Sequence, residues 1–322
     1  MQTQISVVIP TYKRPNLLVN CLRALLEQSL DKYLFEVIVV SDGPDEETFQ
    51  CLQPWLKKRR LNLTYLSTPE KKGPAAARNL GWLSARAPLV AFTDDDCLPQ
   101  KKWLRSFLDT YRGERMIAYT GFTSVPLPPS PTDFALTTAG LQEAEFITAN
   151  CACTKDALLK CGGFDEQFKL AWREDSDLHF KLLKLEVPII HVPRAMVVHP
   201  VRPASWGVSV REQKKSQYDA LLYQKFPDLY RSRIHSSLWN YYVINLLWLV
   251  LITALATRQH TIAVLATCSI FLLVADFAIK RLKNTQKTPL HILEMLSTSI
   301  IIPTLSVYWR LYGAFKYRVL FI

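Results

Sequence analysis

The chain has 322 residues, with 39 Lys and Arg against 28 Asp and Glu for a net charge of +11, and 49% of its residues are hydrophobic. That length allows one large domain or two modest ones with a buried core, and the apolar share is high for a wholly soluble enzyme. Seven cysteines, an odd number without framework spacing, exclude a disulfide-stapled scaffold and suit a reduced, cytosolic setting.

The first hundred residues alternate between two periodicities. ISVVIP (5–10) reads as a first strand, and the surrounding MQTQISVVIPTYKRP lacks the basic and apolar regions of a secretory signal. PNLLVNCLRALLEQSL (15–30) places Leu17, Leu18, Cys21, Leu22, Leu25 and Leu26 on one helical stripe. FEVIVVSDG (35–43) is a second strand, 45–57 a helix, and LNLTYLS (61–67) a third strand. GPAAARNLGWLSA (73–85) is a helix with proline in its first turn, and LVAFT (89–93) a fourth strand. Strands and helices in alternation predict an α/β fold with a parallel sheet covered by helices. Ligands bind such sheets at the carboxyl ends of the strands. Thr11, Asp42 and the acids Asp94, Asp95 and Asp96 all sit just past strand ends.

From 100 to 200 the alternation loosens. VPLPPSPTD (125–133) predicts a mobile connection, ITANCACT (147–154) a strand, DSDLHFKLLKLE (175–186) a helix, and VPIIHVPRAMVVHP (187–200) one or two strands. A helix over roughly 206–224 follows. Cys151, Cys153 and Cys161 lack a fourth ligand at zinc spacing, so zinc is not expected.

Residues 234–257 contain no Asp, Glu, Lys or Arg, and 261–279 is apolar apart from Asp276, so both are long enough to span a membrane. The basic stretch KRLKNTQK follows, and the positive-inside rule puts it and the N-terminal body on the cytoplasmic side. A third apolar stretch, 295–309, contains Pro303 and is read as short for a span, hence an interfacial or re-entrant segment over about 291–310. Residues from 237 onward supply six of the eleven net positive charges. Basic residues beside apolar segments point to anionic lipid headgroups, and nucleic acid is not expected. The expected division is a body over 1–230, with halves 1–100 and 101–230, and a membrane region over 231–322 with helices at about 235–257 and 261–279.

Three consecutive carboxylates at the tip of a buried strand repel one another by roughly 1–4 kcal/mol per pair. A hard divalent cation that takes oxygen ligands makes sense of them. SVVIPTYKR, VIVVSDG, GPAAARNLGW, FTDDDC, GGFDEQF and WREDSDLHFKL, in that order over about 4–200, together resemble the family 2 glycosyltransferases. The resemblance implies a GT-A fold, with a mixed, mostly parallel sheet and a Rossmann-like nucleotide half holding the donor in 1–100 and the acceptor in 101–230. It also implies inverting transfer of a sugar from a nucleotide-diphosphate sugar, of UDP or dTDP type, to an acceptor hydroxyl.

In residue terms, the family's DxD acids fall on Asp94 and Asp96, which hold Mg²⁺ or Mn²⁺, and His199 matches a third ligand found in some relatives. Thr11, Tyr12, Asp42, Arg78, Asp94 and Asp95 are expected to face the donor, with Asp42 reading a uracil- or thymine-like N–H. Asp175 of the ED pair corresponds to the general base, and Glu174 and Trp172 to acceptor contacts. The membrane tail makes a lipid or lipid-linked glycan the expected acceptor, with cell-envelope polysaccharide synthesis at the inner membrane as the setting. Two rival readings are a nucleotidyltransferase, against which IPTYKRP lacks a glycine-rich phosphate loop, and a non-enzymatic membrane protein whose acids bind divalent ions.

Overall fold

The computed structural model describes residues 2–58, 60–234 and 238–321. The first stretch follows the expected alternation: β1 (Ile5–Thr11), α1 (Pro15–Leu26), β2 (Phe35–Ser41), α2 (Glu46–Lys58), β3 (Leu63–Ser67), α3 (Pro74–Ser84) and β4 (Leu89–Phe92). Then come β5 (Leu98–Pro99), α4 (Trp103–Thr110), β6 (Ala118–Ser124), α5 (Asp133–Ala139), β7 (Cys151–Thr154), α6 (Lys155–Cys161), α7 (Glu174–Lys184) and β8 (Ile189–Val198). The eight strands form one sheet in the order β3-β2-β1-β4-β7-β6-β8-β5. β1, β2, β3 and β4 pair in parallel, as do β6 and β8, while β7 and β5 join antiparallel. This is the mixed, mostly parallel, helix-flanked sheet expected from the sequence.

Every residue of β1, β2 and β4 is buried, because helices cover both faces of the sheet. The two-residue strand period divides their side chains between two cores. Val7, Ile9, Val37, Val39 and Ala91 pack with α1, α2 and α4 through Leu18, Leu22, Leu52, Trp103 and Phe107. Val8, Ile38, Val40, Val90 and Phe92 pack with α3, α6 and α7 through Ala77, Trp82, Leu158, Leu178 and Leu182. Each fully buried large side chain contributes roughly 1.5–3 kcal/mol.

Two expected elements differ, and a third, open between one strand and two, is a single strand. The strand expected at 147–154 begins only at Cys151, since Ile147 to Asn150 close a turn through an Asn150 N–H bond to the Ile147 carbonyl. The buried Asn150 side chain then accepts from Trp103 Nε1 at 2.8 Å and donates to the carbonyls of Phe122 and Ala195, each at 2.9 Å. VPIIHVPRAMVVHP is a single strand whose register against β6 jumps from Gly121–Val192 to Phe122–Met196, so Pro193 to Ala195 bulge out. Pro193 has no N–H for the ladder, which favours a bulge there. The single helix expected over 206–224 is broken into α8 (Val208–Glu212), a 3-10 turn (Gln213–Ser216) and α9 (Gln217–Lys225). The Ser216 hydroxyl donates to the Gln213 carbonyl at 2.6 Å, a local bond that competes with the helical ladder.

The chain divides into two compact units, Met1–Pro126 with Ala139–Val201, and Leu127–Thr138 with Arg202–Ile322. The second contains α10 (Pro227–Arg233), α11 (Trp239–Ala256), α12 (His260–Leu282) and α13 (Pro289–Lys316). Positions 235–237 of the first expected membrane segment lie outside the described residues. α11, α12 and α13 are each long and apolar enough to cross a membrane. The length assumed for the third apolar segment is thereby corrected: α13 is one helix of 28 residues. It starts on Thr288, whose hydroxyl caps the His291 N–H, with Pro289 at the first helical position, and it runs on through Pro303. Within this unit the Arg281 guanidinium, on α12, donates to Asp133 Oδ2 at 2.7 Å, Thr298 Oγ1 at 2.7 Å, Ser299 Oγ at 3.1 Å and Ser209 Oγ at 2.9 Å. The segment around Asp133 is thus tied down, where a mobile connection had been expected.

The bulge depends on Gly121, since an added Cβ would lie 2.2 Å from the Ala195 carbonyl oxygen and 2.4 Å from Asn150 Oδ1. Gly121→Ala is expected to destabilise the protein by about 1–3 kcal/mol, because a backbone oxygen must move. A lowered urea midpoint for the purified chain in detergent checks this.

Candidate active site

The carboxyl tips of β1, β2 and β4 and the N-terminus of α7 bring the sequence-predicted residues into one unit. β4 ends at Phe92, and the next turns carry the three acids, each with a different environment. Asp95 is fully buried and points inward: its Oδ2 accepts from Thr11 Oγ1 at 2.7 Å and lies 3.3 Å from Arg14 Nε. Asp96 lies within 3.8 Å of Arg14 Nη1 and 3.7 Å of His199 Nε2. Asp94 is the most open of the three and takes a 2.7 Å bond from Arg78 Nη2. Arg14 and Arg78 are the positive partners that make the triplet tenable.

Arg78, on α3, is almost completely buried, and its other terminal nitrogen, Nη1, lies 3.1 Å from Glu174 Oε1. Both terminal nitrogens are therefore spent on carboxylates, so Arg78 sits beneath the acids as a bridge from β4 to α7. Those two acids hold its guanidinium charged against the cost of burial. Burial pushes Asp94 up, but Arg78, followed by His199 and Arg14, overrides it and holds the carboxyl below its usual range. Asp95 is pushed up to about 7 by burial, which Arg14 and Thr11 only partly offset. Glu174 is likewise pushed up to about 7 by burial against the pull of Arg78.

Asp42 follows β2 and is buried; its Oδ1 accepts from the backbone N–H of Lys72 at 2.7 Å and of Gly73 at 2.8 Å. It thereby fixes the turn into α3, where Gly73 has a φ of +104° and its Cα packs so tightly that a Cβ would meet the Lys169 carbonyl at 2.7 Å. The second oxygen, Oδ2, has no hydrogen bond among the described residues. Tyr12 follows Thr11 with the Lys71 ammonium 4.1 Å from its ring centre, so a basic side chain lies over this aromatic face.

α7 begins at Glu174 after Arg173, a non-glycine residue at φ 73°, a left-handed conformation that L side chains adopt at a cost of roughly 1–2 kcal/mol. That turn presents Glu174 to Arg78 and leaves Asp175 half-buried, with its Oδ1 accepting from the Ser176 N–H at 2.7 Å. Burial raises the Asp175 carboxyl, and the Ser176 N–H, Arg173 and Arg78 pull it back only in part. Trp172 is exposed, with the Arg173 guanidinium 4.7 Å from its ring centre.

Donor atoms of Asp94, Asp96, Cys97 and His199 all lie within 4.8 Å of one another. The group fits a divalent cation: two carboxylates supply hard oxygens, and buried His199 Nδ1 has no hydrogen-bond partner among the described residues. Burial pushes the Cys97 thiol well above its usual value, so it stays protonated and donates poorly. Sequence reasoning missed Arg14 and Cys97. TYKRP, placing a base three residues past the tip of β1, was the available signal for Arg14.

Residues 6–150 match the family model described as Glycosyl transferase family 2. The chain is 24% identical over 270 residues to the chondroitin synthase of Pasteurella multocida, covering 70% of this chain and 28% of that protein. It is similar in fold to the mannosyltransferase PcManGT from Pyrobaculum calidifontis in complex with GDP-Man and Mn²⁺, with TM-score 0.55 and 18% identity over 99% of this chain and 88% of that one. The S. aureus TarS structure in complex with UDP-GlcNAc aligns with TM-score 0.51 and 17% identity, covering 96% and 92%. The chain spans well under half the length of the first curated relatives it matches.

Removing Arg78 leaves buried Glu174 and half-buried Asp94 without their shared cation. Arg78→Met is expected to cost about 3–5 kcal/mol of stability, and adding Glu174→Gln in the same chain to recover part of that loss. Denaturation of the single and double variants measures both effects.

Proposed function

We propose, from the premise that residues 6–150 belong to glycosyl transferase family 2, that this protein transfers a sugar from a nucleotide-diphosphate sugar to an acceptor hydroxyl with inversion. The observation that carries the reading is the Arg78 bridge, which sets the Asp94–Asp96–His199 group and the ED pair of α7 around one guanidinium. Asp94, Asp96 and His199 would hold Mg²⁺ or Mn²⁺, which when bound offsets charge building on the departing diphosphate. A UDP- or dTDP-type nucleotide is favoured, the former being the nucleotide in the TarS complex with UDP-GlcNAc.

The chain's own groups divide the work. Asp42 keeps one oxygen on the turn before α3 and offers Oδ2 to a nucleobase N–H, next to the ring of Tyr12. Thr11 and Arg14 hold Asp95 inward, so that the flanking Asp94 and Asp96 are left to group with His199. Asp175 accepts the proton of the acceptor hydroxyl as its oxygen attacks the anomeric carbon and the bond to the diphosphate breaks, with the electron pair leaving on the nucleoside diphosphate. A single displacement of this kind inverts the anomeric centre and needs no protein nucleophile. Glu174 stays on Arg78 and orients the start of α7, and the exposed Trp172 offers a stacking face for the acceptor.

The three apolar helices favour an acceptor that is a lipid or lipid-linked glycan, as in cell-envelope polysaccharide synthesis, since anchoring raises local concentration. Positive charge in Lys280–Lys287 supports a topology with that loop and the residue 1–230 body at the cytoplasmic face of the inner membrane.

The purified chain with Mn²⁺ and a panel of nucleotide sugars is expected to release nucleoside diphosphate. Asp175→Asn should lower kcat by about 10²–10⁴ while donor binding persists. Because the base works only when ionised and burial raises its pKa, wild-type activity should fall as pH drops, with a midpoint above the usual carboxylate value of about 4. Release of pyrophosphate, or full activity in Asp175→Asn, would overturn the assignment.

A further inference from the structure

Away from these residues, a cleft of about 770 Å³ opens between α4 and β8. Lys102, at the N-terminal cap of α4, and Arg105 and Asp109 on that helix lie at spacings of three and four and all line this cleft. Opposite stand His191 and Arg194, the latter aimed by the Pro193–Ala195 bulge of β8. Among the described residues, the side chains of Lys102, Arg105, Arg194 and Asp109 make no ion pair or hydrogen bond with the protein. Three cations facing one cleft repel one another, and the single acid between them is left unpaired. The volume lies in the range of about 300–1,000 Å³ typical of small-ligand sites.

We infer that this cleft binds an anionic saccharide, a sugar chain bearing carboxylate or phosphate groups. Lys102, Arg105 and Arg194 take the anionic groups, Arg through its planar fork of donors. Asp109 is the discriminating feature. A carboxylate repels a bare oxyanion but accepts hydrogen bonds from hydroxyls, which a sugar has and an inorganic anion lacks. The lining holds no Phe, Tyr or Trp, and so offers no platform on which nucleobases stack. β8 links the two sites: with the bulge taken up, His191 and Val198 stand opposite Thr120 and Ser124, four β6 residues or about 13 Å apart at ~3.3 Å per residue, and His199 is the next residue on. The cleft thus goes beyond the transferase reading, and none of its residues belongs to the site described above.

The test titrates the full chain in detergent with tetragalacturonate, glucose 1,6-bisphosphate, tripolyphosphate and an oligothymidylate of matched charge, by calorimetry at low salt. One or both saccharides should bind, the stronger naming the anionic group. Arg105→Ala with Arg194→Ala should weaken that binding at least tenfold and leave donor turnover unchanged. Asp109→Asn should weaken the saccharide several-fold and strengthen tripolyphosphate. The proposal is overturned if neither saccharide binds, if oligothymidylate binds as tightly, if Asp109→Asn strengthens saccharide and tripolyphosphate alike, or if Lys57→Ala with Lys58→Ala, exposed on α2, weakens binding equally. Loss of donor turnover in Asp175→Asn is a separate readout, so the two readings fail independently.

Discussion

A buried guanidinium stands at the centre of this architecture. Arg78 leaves water almost completely, which is costly for any charge, and it stays charged because Asp94 and Glu174 each take one of its terminal nitrogens. The arrangement joins a strand tip to a helix start 96 positions apart from Arg78 in sequence. It couples the placement of an outward-facing acid to the placement of Asp175, the residue after Glu174. An Arg suits this role better than a Lys, since its two terminal nitrogens reach two partners at a fixed angle.

The three consecutive aspartates make sense as a division of labour under like-charge repulsion. Asp95 turns inward and is held by Thr11 and Arg14, with burial raising its pKa. Asp94 turns the other way and is kept ionised by Arg78. Asp96 shares Arg14 and faces His199. Alternation of direction along the chain lets two acids face one way while the middle one supports the first strand. The same economy holds at Asp42, where one oxygen organises a turn and the other stays open.

In the second unit, polar side chains do a comparable job among apolar helices. Arg281 gathers an acid and three hydroxyls from α5, α8 and α13, which satisfies a guanidinium that would be costly to bury unpaired. The Asp133 segment, which by sequence follows the proline-rich stretch, is thereby fastened to the helices of its own unit. Proline content alone suggested mobility, because composition reports what a segment does not form and says nothing of what captures it.

By itself the sequence determined the features that depend on neighbours along the chain. The strand and helix periods of the first hundred residues, the two apolar stretches at about 235–257 and 261–279, and the position of Asp42 and Asp94 to Asp96 past strand ends were all legible, since each follows from local pattern, while Thr11 proved to be the last residue of β1. Tertiary structure decided what depends on residues far apart: which acid points inward, that Arg78 lies beneath the acids, that His199 meets Asp96, and that Arg14 joins them. It also shortened the strand at Cys151, where Asn150 is drawn to the distant carbonyls of Phe122 and Ala195, and bulged β8 at Pro193. The physical reason is one of range. Propensity and periodicity act over a few residues, whereas a buried charge is settled only by the partners the completed fold brings to it.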